Sequence, residues 1–109
     1  MKKINILKDN RDFFRIIKAE KPFKFKGYMV YLEKTEDIYK FGISVSKKLG
    51  NAVTRNKIKR QVREIISKNN YEKNFNCIII IRKSFLENDF KQNSEDLNYI
   101  LSTLKIKEN

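Results

Sequence analysis

The chain has no histidine and one cysteine, Cys77. Without histidine, histidine acid–base pairs, Ser–His and Cys–His nucleophile systems and the usual zinc clusters are excluded. One cysteine excludes an intrachain disulfide. No apolar run approaches the roughly 20 residues of a membrane-spanning helix. The N-terminal stretch MKKINILKDNRDFF lacks the apolar centre of a signal peptide, so a cytoplasmic protein is expected. Acidic residues are scarce: 13 Asp and Glu face 25 Lys and Arg, a formal net charge of +12 over 109 residues. Such a charge opposes compaction unless a partner neutralises it. Nucleic acid is the first candidate and an anionic membrane surface the second. If the chain serves a hydrolytic reaction, its own side chains are not expected to supply the chemistry.

What is present suffices for one domain, residues 1–109, with a modest core: 40% of the residues are hydrophobic. In DNRDFFRIIKAEKP, Asp9 or Asn10 can cap a helix, Phe13, Ile16 and Ile17 recur at helical spacing, and Pro22 ends the element. FKFKGYMVYLEK reads as extended, broken at Gly27. IYKFGISVS alternates, with Tyr39, Phe41, Ile43 and Val45 on one face and Lys40, Gly42, Ser44 and Ser46 on the other. That second face is small and polar, suited to a ligand surface or to plain solvent. NCIIIIRK has the length and continuous apolarity of a central strand covered on both sides, with Cys77 as inert core. In NSEDLNYILSTLKIK, Ser94 reads as the cap, Glu95 and Asp96 as the positive end, and Lys105 and Lys107 as the negative end. The expected fold is an α/β sandwich, a small mixed sheet with three helices in the order αβββαβα.

The segment from Val45 to Ile66, VSKKLGNAVTRNKIKRQVREII, holds the strongest signal. Gly50 permits a turn, Asn51 is a good N-cap, and a helix is expected from Ala52 to Ser67. At about 100° per residue, Ile58, Val62, Ile65 and Ile66 gather on one side. Asn56, Lys57, Lys59, Arg60 and Arg63 fill the opposite arc, and Arg55 falls near the apolar edge. Lys47 and Lys48 extend the basic patch before the helix. No acid appears until Glu64, whereas a solvated helix usually intersperses opposite charges. The abundance of Lys, Asn and Ile is what an AT-rich genome produces, but that does not cluster Arg55, Arg60 and Arg63. Arginine forks and helix N-termini both suit phosphate. RNA is favoured over DNA, because no helix-turn-helix, zinc or zipper spacing is present.

The block GISVSKKLGNAVTRNKIKRQVREII resembles the signature of the bacterial ribonuclease P protein subunit. In that family a strand ending in two basic residues leads into Gly-Asn-Ala and an Arg-Asn-Arg helix. Here the triplet is Arg55-Asn56-Lys57, in which lysine keeps the charge and loses the bidentate fork. The block covers roughly a quarter of the chain. The resemblance implies a subunit of a ribonucleoprotein that removes the 5′ leader from precursor tRNA, with catalysis by an RNA subunit using magnesium and no cofactor on the protein. It implies that Lys47, Lys48, Arg55, Asn56, Lys57, Lys59, Arg60 and Arg63 meet the RNA subunit. It also implies a leader cleft between the first helix and the sheet, including Phe13 and Tyr31, with Ser46, Arg82 and Lys83 at the rim. Ile17 stands where the family often has a second aromatic. Read from the residues alone, Phe13 is equally a core residue. The resemblance further implies a left-handed crossover between the strands Phe41–Ser46 and Ile78–Arg82, against the general preference for right-handed ones. Two readings compete: a structural ribosomal RNA-binding protein of similar fold, and a DNA-binding regulator.

Overall fold

Four consecutive isoleucines, Ile78 to Ile81, belong to one of the two inner strands of a four-stranded sheet. The structure is a computed structural model and describes residues 2–108. Its elements are α1 (Asn10–Ala19), β1 (Phe23–Phe25), β2 (Tyr28–Lys34), β3 (Lys40–Ser44), α2 (Ala52–Ser67), β4 (Phe75–Ile81) and α3 (Phe90–Thr103). The expected order αβββαβα is therefore observed. The sheet order is β1-β2-β4-β3, with β4 antiparallel to β2 and parallel to β3. The parallel pair is joined through α2. Leu7 N–H donates to Phe41 O at 2.9 Å, tying the N-terminal segment to the edge strand β3.

Alternation along β4 divides the core. Phe75, Cys77, Ile79 and Ile81 face α2 and α3, where Ile58, Val62, Ile65, Ile66, Leu97, Ile100 and Leu101 are buried against them. Ile78 faces the other way, into a smaller cluster with Leu7, Ile16 and Tyr31. A strand buried on both faces needs apolar residues at successive positions, and this accounts for the isoleucine run. Burial pushes the Cys77 thiol well above its ordinary pKa, which keeps it protonated and inert.

Caps set the helix starts. Asp9 accepts from Arg11 N–H at 2.9 Å and opens α1. Asn51 accepts from Thr54 N–H at 2.9 Å and opens α2, which has the expected bounds. α3 departs from expectation. Asp89 is its cap, accepting from Gln92 N–H at 2.8 Å, and Ser94 lies inside the helix. The earlier start is fixed by distant groups. The Tyr28 hydroxyl donates to Asn93 O at 2.7 Å, and Asn93 Nδ2 donates to Phe85 O at 3.0 Å. Consequently Glu95 and Asp96 do not sit at the positive end. Lys105 and Lys107 lie beyond Thr103, the last helical residue.

The break between β1 and β2 also differs in detail. Lys26, with φ +53°, adopts the left-handed conformation there. Gly27 is needed for close approach instead: a Cβ on it would lie 2.8 Å from Phe85 Cα.

Candidate nucleic-acid interface

The outward face of α2 is an array of unpaired cations. Asn56, Lys57, Arg60 and Arg63 are exposed, whereas Arg55 and Lys59 are half-buried on the helix flanks. Among the described residues, none of Arg55, Lys57, Lys59, Arg60 and Arg63 is in a salt bridge; the helix's one ion pair joins Glu64 to Lys68. Arg55 Nε is buried without a hydrogen-bond partner. Lys47 and Lys48 are exposed in a short 3-10 turn, Lys47–Leu49, which Ser46 opens by accepting from Lys48 N–H at 3.2 Å. These positive charges are held close together with no internal compensation, and binding a polyanion relieves their mutual repulsion.

The second surface is the sheet face opposite α2 and α3. Strand register arranges it in rows. Glu33, Asn76 and Lys40 form one, Tyr31, Ile78 and Gly42 the next, and Met29, Ile80 and Ser44 the third. Extended backbone at Ser46 and Arg82 continues the alternation, so both belong to this face, and Arg82 N–H donates to Gly27 O at 2.8 Å. α1 crosses over the middle row. Phe13 packs on Gly42, and Ile16 is buried with Tyr31 and Ile78. On one flank of α1, Arg15 forms a salt bridge with Glu33. On the other flank the row Met29–Ile80–Ser44 is only half-buried, and Ser46, Arg82 and Lys83 beyond it are exposed. The result is a shallow groove with an apolar floor and a basic rim.

Of the residues expected for a leader cleft, Phe13, Ile17, Tyr31, Ser46 and Arg82 are therefore gathered on one face, though not equivalently, and Lys83 follows Arg82 as an exposed residue of the next 3-10 turn. Phe13 and Ile17 are half-buried at the wall. Tyr31, 7% exposed, lies beneath α1 as part of the floor. Gly42, expected on a small polar face open to ligand or solvent, is covered by the Phe13 ring.

The structure adds residues that sequence reasoning missed. Lys8, Asn10 and Ile43, none of them assigned to the site from the sequence, line a groove of about 330 Å³ together with the expected Lys59, Arg63 and Phe13. The basic helix and the α1 face thus meet at the β3 edge. Phe14, beside Phe13, is largely exposed. Its signal was available, since it falls off the stripe made by Phe13, Ile16 and Ile17. Among the described residues, no cluster of three or more His, Cys, Asp or Glu side chains is placed to hold a metal ion. Nor is any helix among them long and apolar enough to cross a membrane.

The model of the family Ribonuclease P matches residues 1–105. The chain is 41% identical over 105 residues to the ribonuclease P protein component of Mesoplasma florum, covering 93% of this chain and 96% of that one. A solved structure of the Staphylococcus aureus RNase P protein superposes with a TM-score of 0.85 at 35% identity, covering 95% of this chain and 98% of that one. The Thermotoga maritima RNase P protein superposes with a TM-score of 0.79 at 36% identity, covering 88% and 94%.

Proposed function

Since this chain belongs to the ribonuclease P protein family, we propose that it acts as the protein subunit of bacterial ribonuclease P, assisting removal of the 5′ leader from precursor tRNA in the cytoplasm. Its partners are the ribonuclease P RNA subunit and the precursor. The RNA subunit is held by α2 and the turn before it, through Lys47, Lys48, Arg55, Asn56, Lys57, Lys59, Arg60 and Arg63. Arginine supplies bidentate contacts to phosphate, lysine supplies point charge, and Asn56 can bond to phosphate, ribose or a base edge. The leader lies on the groove beside α1. Phe13 and Ile17 form its wall, Tyr31 supports the floor, and Ser46, Arg82 and Lys83 meet phosphates at the rim. Cleavage belongs to the RNA subunit and the magnesium ions it uses. The protein contributes position and charge: each phosphate neutralised by a fixed cation no longer needs a condensed counterion.

One observation carries this reading. Lys59 and Arg63, on the helix assigned to the RNA subunit, share a groove with Phe13, on the wall assigned to the leader. One protein surface can therefore touch both RNAs near their junction. The test is reconstitution with a bacterial ribonuclease P RNA at a magnesium concentration where that RNA alone is slow. Stimulated cleavage at the mature 5′ end is expected. Failure to stimulate, with co-sedimentation on ribosomal subunits instead, would point to a ribosomal RNA-binding protein.

A further inference from the structure

The first helix carries an aromatic ring that the fold does not use. Phe14 is 67% exposed and takes no part in either hydrophobic cluster, whereas Phe13 and Ile17 pack against the smaller one. Isolated exposed apolar residues are ordinary on protein surfaces, so exposure alone assigns nothing. Position is more informative. Arg15 reaches Glu33 from one flank of α1, and Asp12 bonds to Arg15 on that side. At about 100° per residue, Ile17 and then Phe14 follow round the opposite flank, the one that borders Met29, Ile80 and Ser44. Phe14 thus stands at the lip of the groove, above a half-buried apolar floor. Beyond that floor, past Ile80 along the chain, Arg82 and Lys83 are exposed and without an ion-pair partner among the described residues. A free ring at the lip and free cations beyond the floor match the two features of a single strand, base faces and phosphates.

We infer that Phe14 is a stacking surface for a nucleobase of the single-stranded 5′ leader, at the outer lip of the α1 groove. The inference rests on the reading of this face as the leader site. Stacking needs a flat π face and no particular base, so the contact is tolerant of leader sequence.

The test uses holoenzyme reconstituted with a bacterial ribonuclease P RNA. Affinities are measured for a precursor carrying a leader and for the mature tRNA lacking one, alongside a thermal melt of each protein. Phe14→Ala is expected to weaken precursor binding about five- to 150-fold, the range given by loss of one stacked base. Binding of mature tRNA and the melting temperature should stay at wild-type values, because the ring supports no core contact. Phe14→Leu keeps apolar bulk without a π face and should remain weak, whereas Phe14→Tyr should restore binding. Wild-type precursor affinity in Phe14→Ala, with wild-type protein still preferring the precursor, would overturn this inference alone. An equal loss for both RNAs, or full rescue by leucine, would also overturn it. If wild-type holoenzyme itself shows no leader preference, the reading of the face fails and this inference fails with it.

Discussion

The ring of Phe13 occupies the space that a side chain at Gly42 would need: a Cβ built there would come within 2.4 Å of Phe13 Cζ and 2.8 Å of Cε2. Contacts this short do not persist, so Gly42→Ala must displace the Phe13 ring from its place on the sheet. The expected cost is about 1–3 kcal/mol of stability, the usual range for overpacking. Precursor affinity should fall while mature tRNA affinity holds. In a Phe13→Ala background the same substitution should cost less, because the clashing ring is gone. Denaturant unfolding of the two single variants and the double variant measures this coupling, and simple additivity would count against the contact.

On α2, Arg60→Ala and Arg63→Ala remove exposed cations and should leave the melting temperature nearly unchanged. Each lost phosphate contact is expected to lower the slope of log affinity against log salt by about one unit. Titration of the RNA subunit at several salt concentrations reads that slope. Wild-type slopes in both variants would make this face an ordinary solvated one.

Acid should loosen α1. Hydrogen bonds from Arg15, and then from Asn76, hold the Glu33 carboxyl below its ordinary pKa. A group with a lowered folded-state pKa contributes fully above its unfolded value near 4.5, and that contribution is lost as pH falls through the folded value. Glu33→Gln should therefore melt below wild type near neutrality, and the two curves should converge in acid. A gap that stays constant down the titration would show that the ion pair does not contribute to α1 docking.

The start of α3 can be tested with a pair of substitutions. Asp89→Ala removes the side chain that accepts from Gln92 N–H and should cost about 1 kcal/mol. Ser94→Ala, inside the helix, should change stability by less than about 0.5 kcal/mol. Thermal or denaturant melts decide between them, and a larger loss from the serine would restore it as the cap.

Much of the geometry of the candidate interface was legible in the chain because its causes are local. Asn51 caps α2 through a bond three residues away, and the spacing of Ile58, Val62, Ile65 and Ile66 turns one side of the helix inward. The cations between them are left outside by the same geometry. The isoleucine run announced a strand buried on both faces, and the absence of histidine excluded histidine chemistry outright.

Other features depended on contacts between distant segments. Asp89 and Ser94 are both good caps. The choice went to Asp89 because Tyr28, on β2, donates to the Asn93 carbonyl, and Asn93 itself donates to Phe85 O. Phe13 and Phe14 are identical neighbours. Helical spacing turns Phe13 inward and leaves Phe14 off the stripe, but that the inward ring lands on Gly42 follows from the line α1 takes across β2, β4 and β3. Likewise, only the pairing of Ser44 with Ile80 brings the ends of β3 and β4, and with them Ser46 and Arg82, to the same edge of the sheet. Periodicity assigns a residue to one side of its own helix or strand, since that depends on a few neighbouring bonds. Which sides come to face one another is a property of the packed chain, settled when the burial of separate segments is satisfied together.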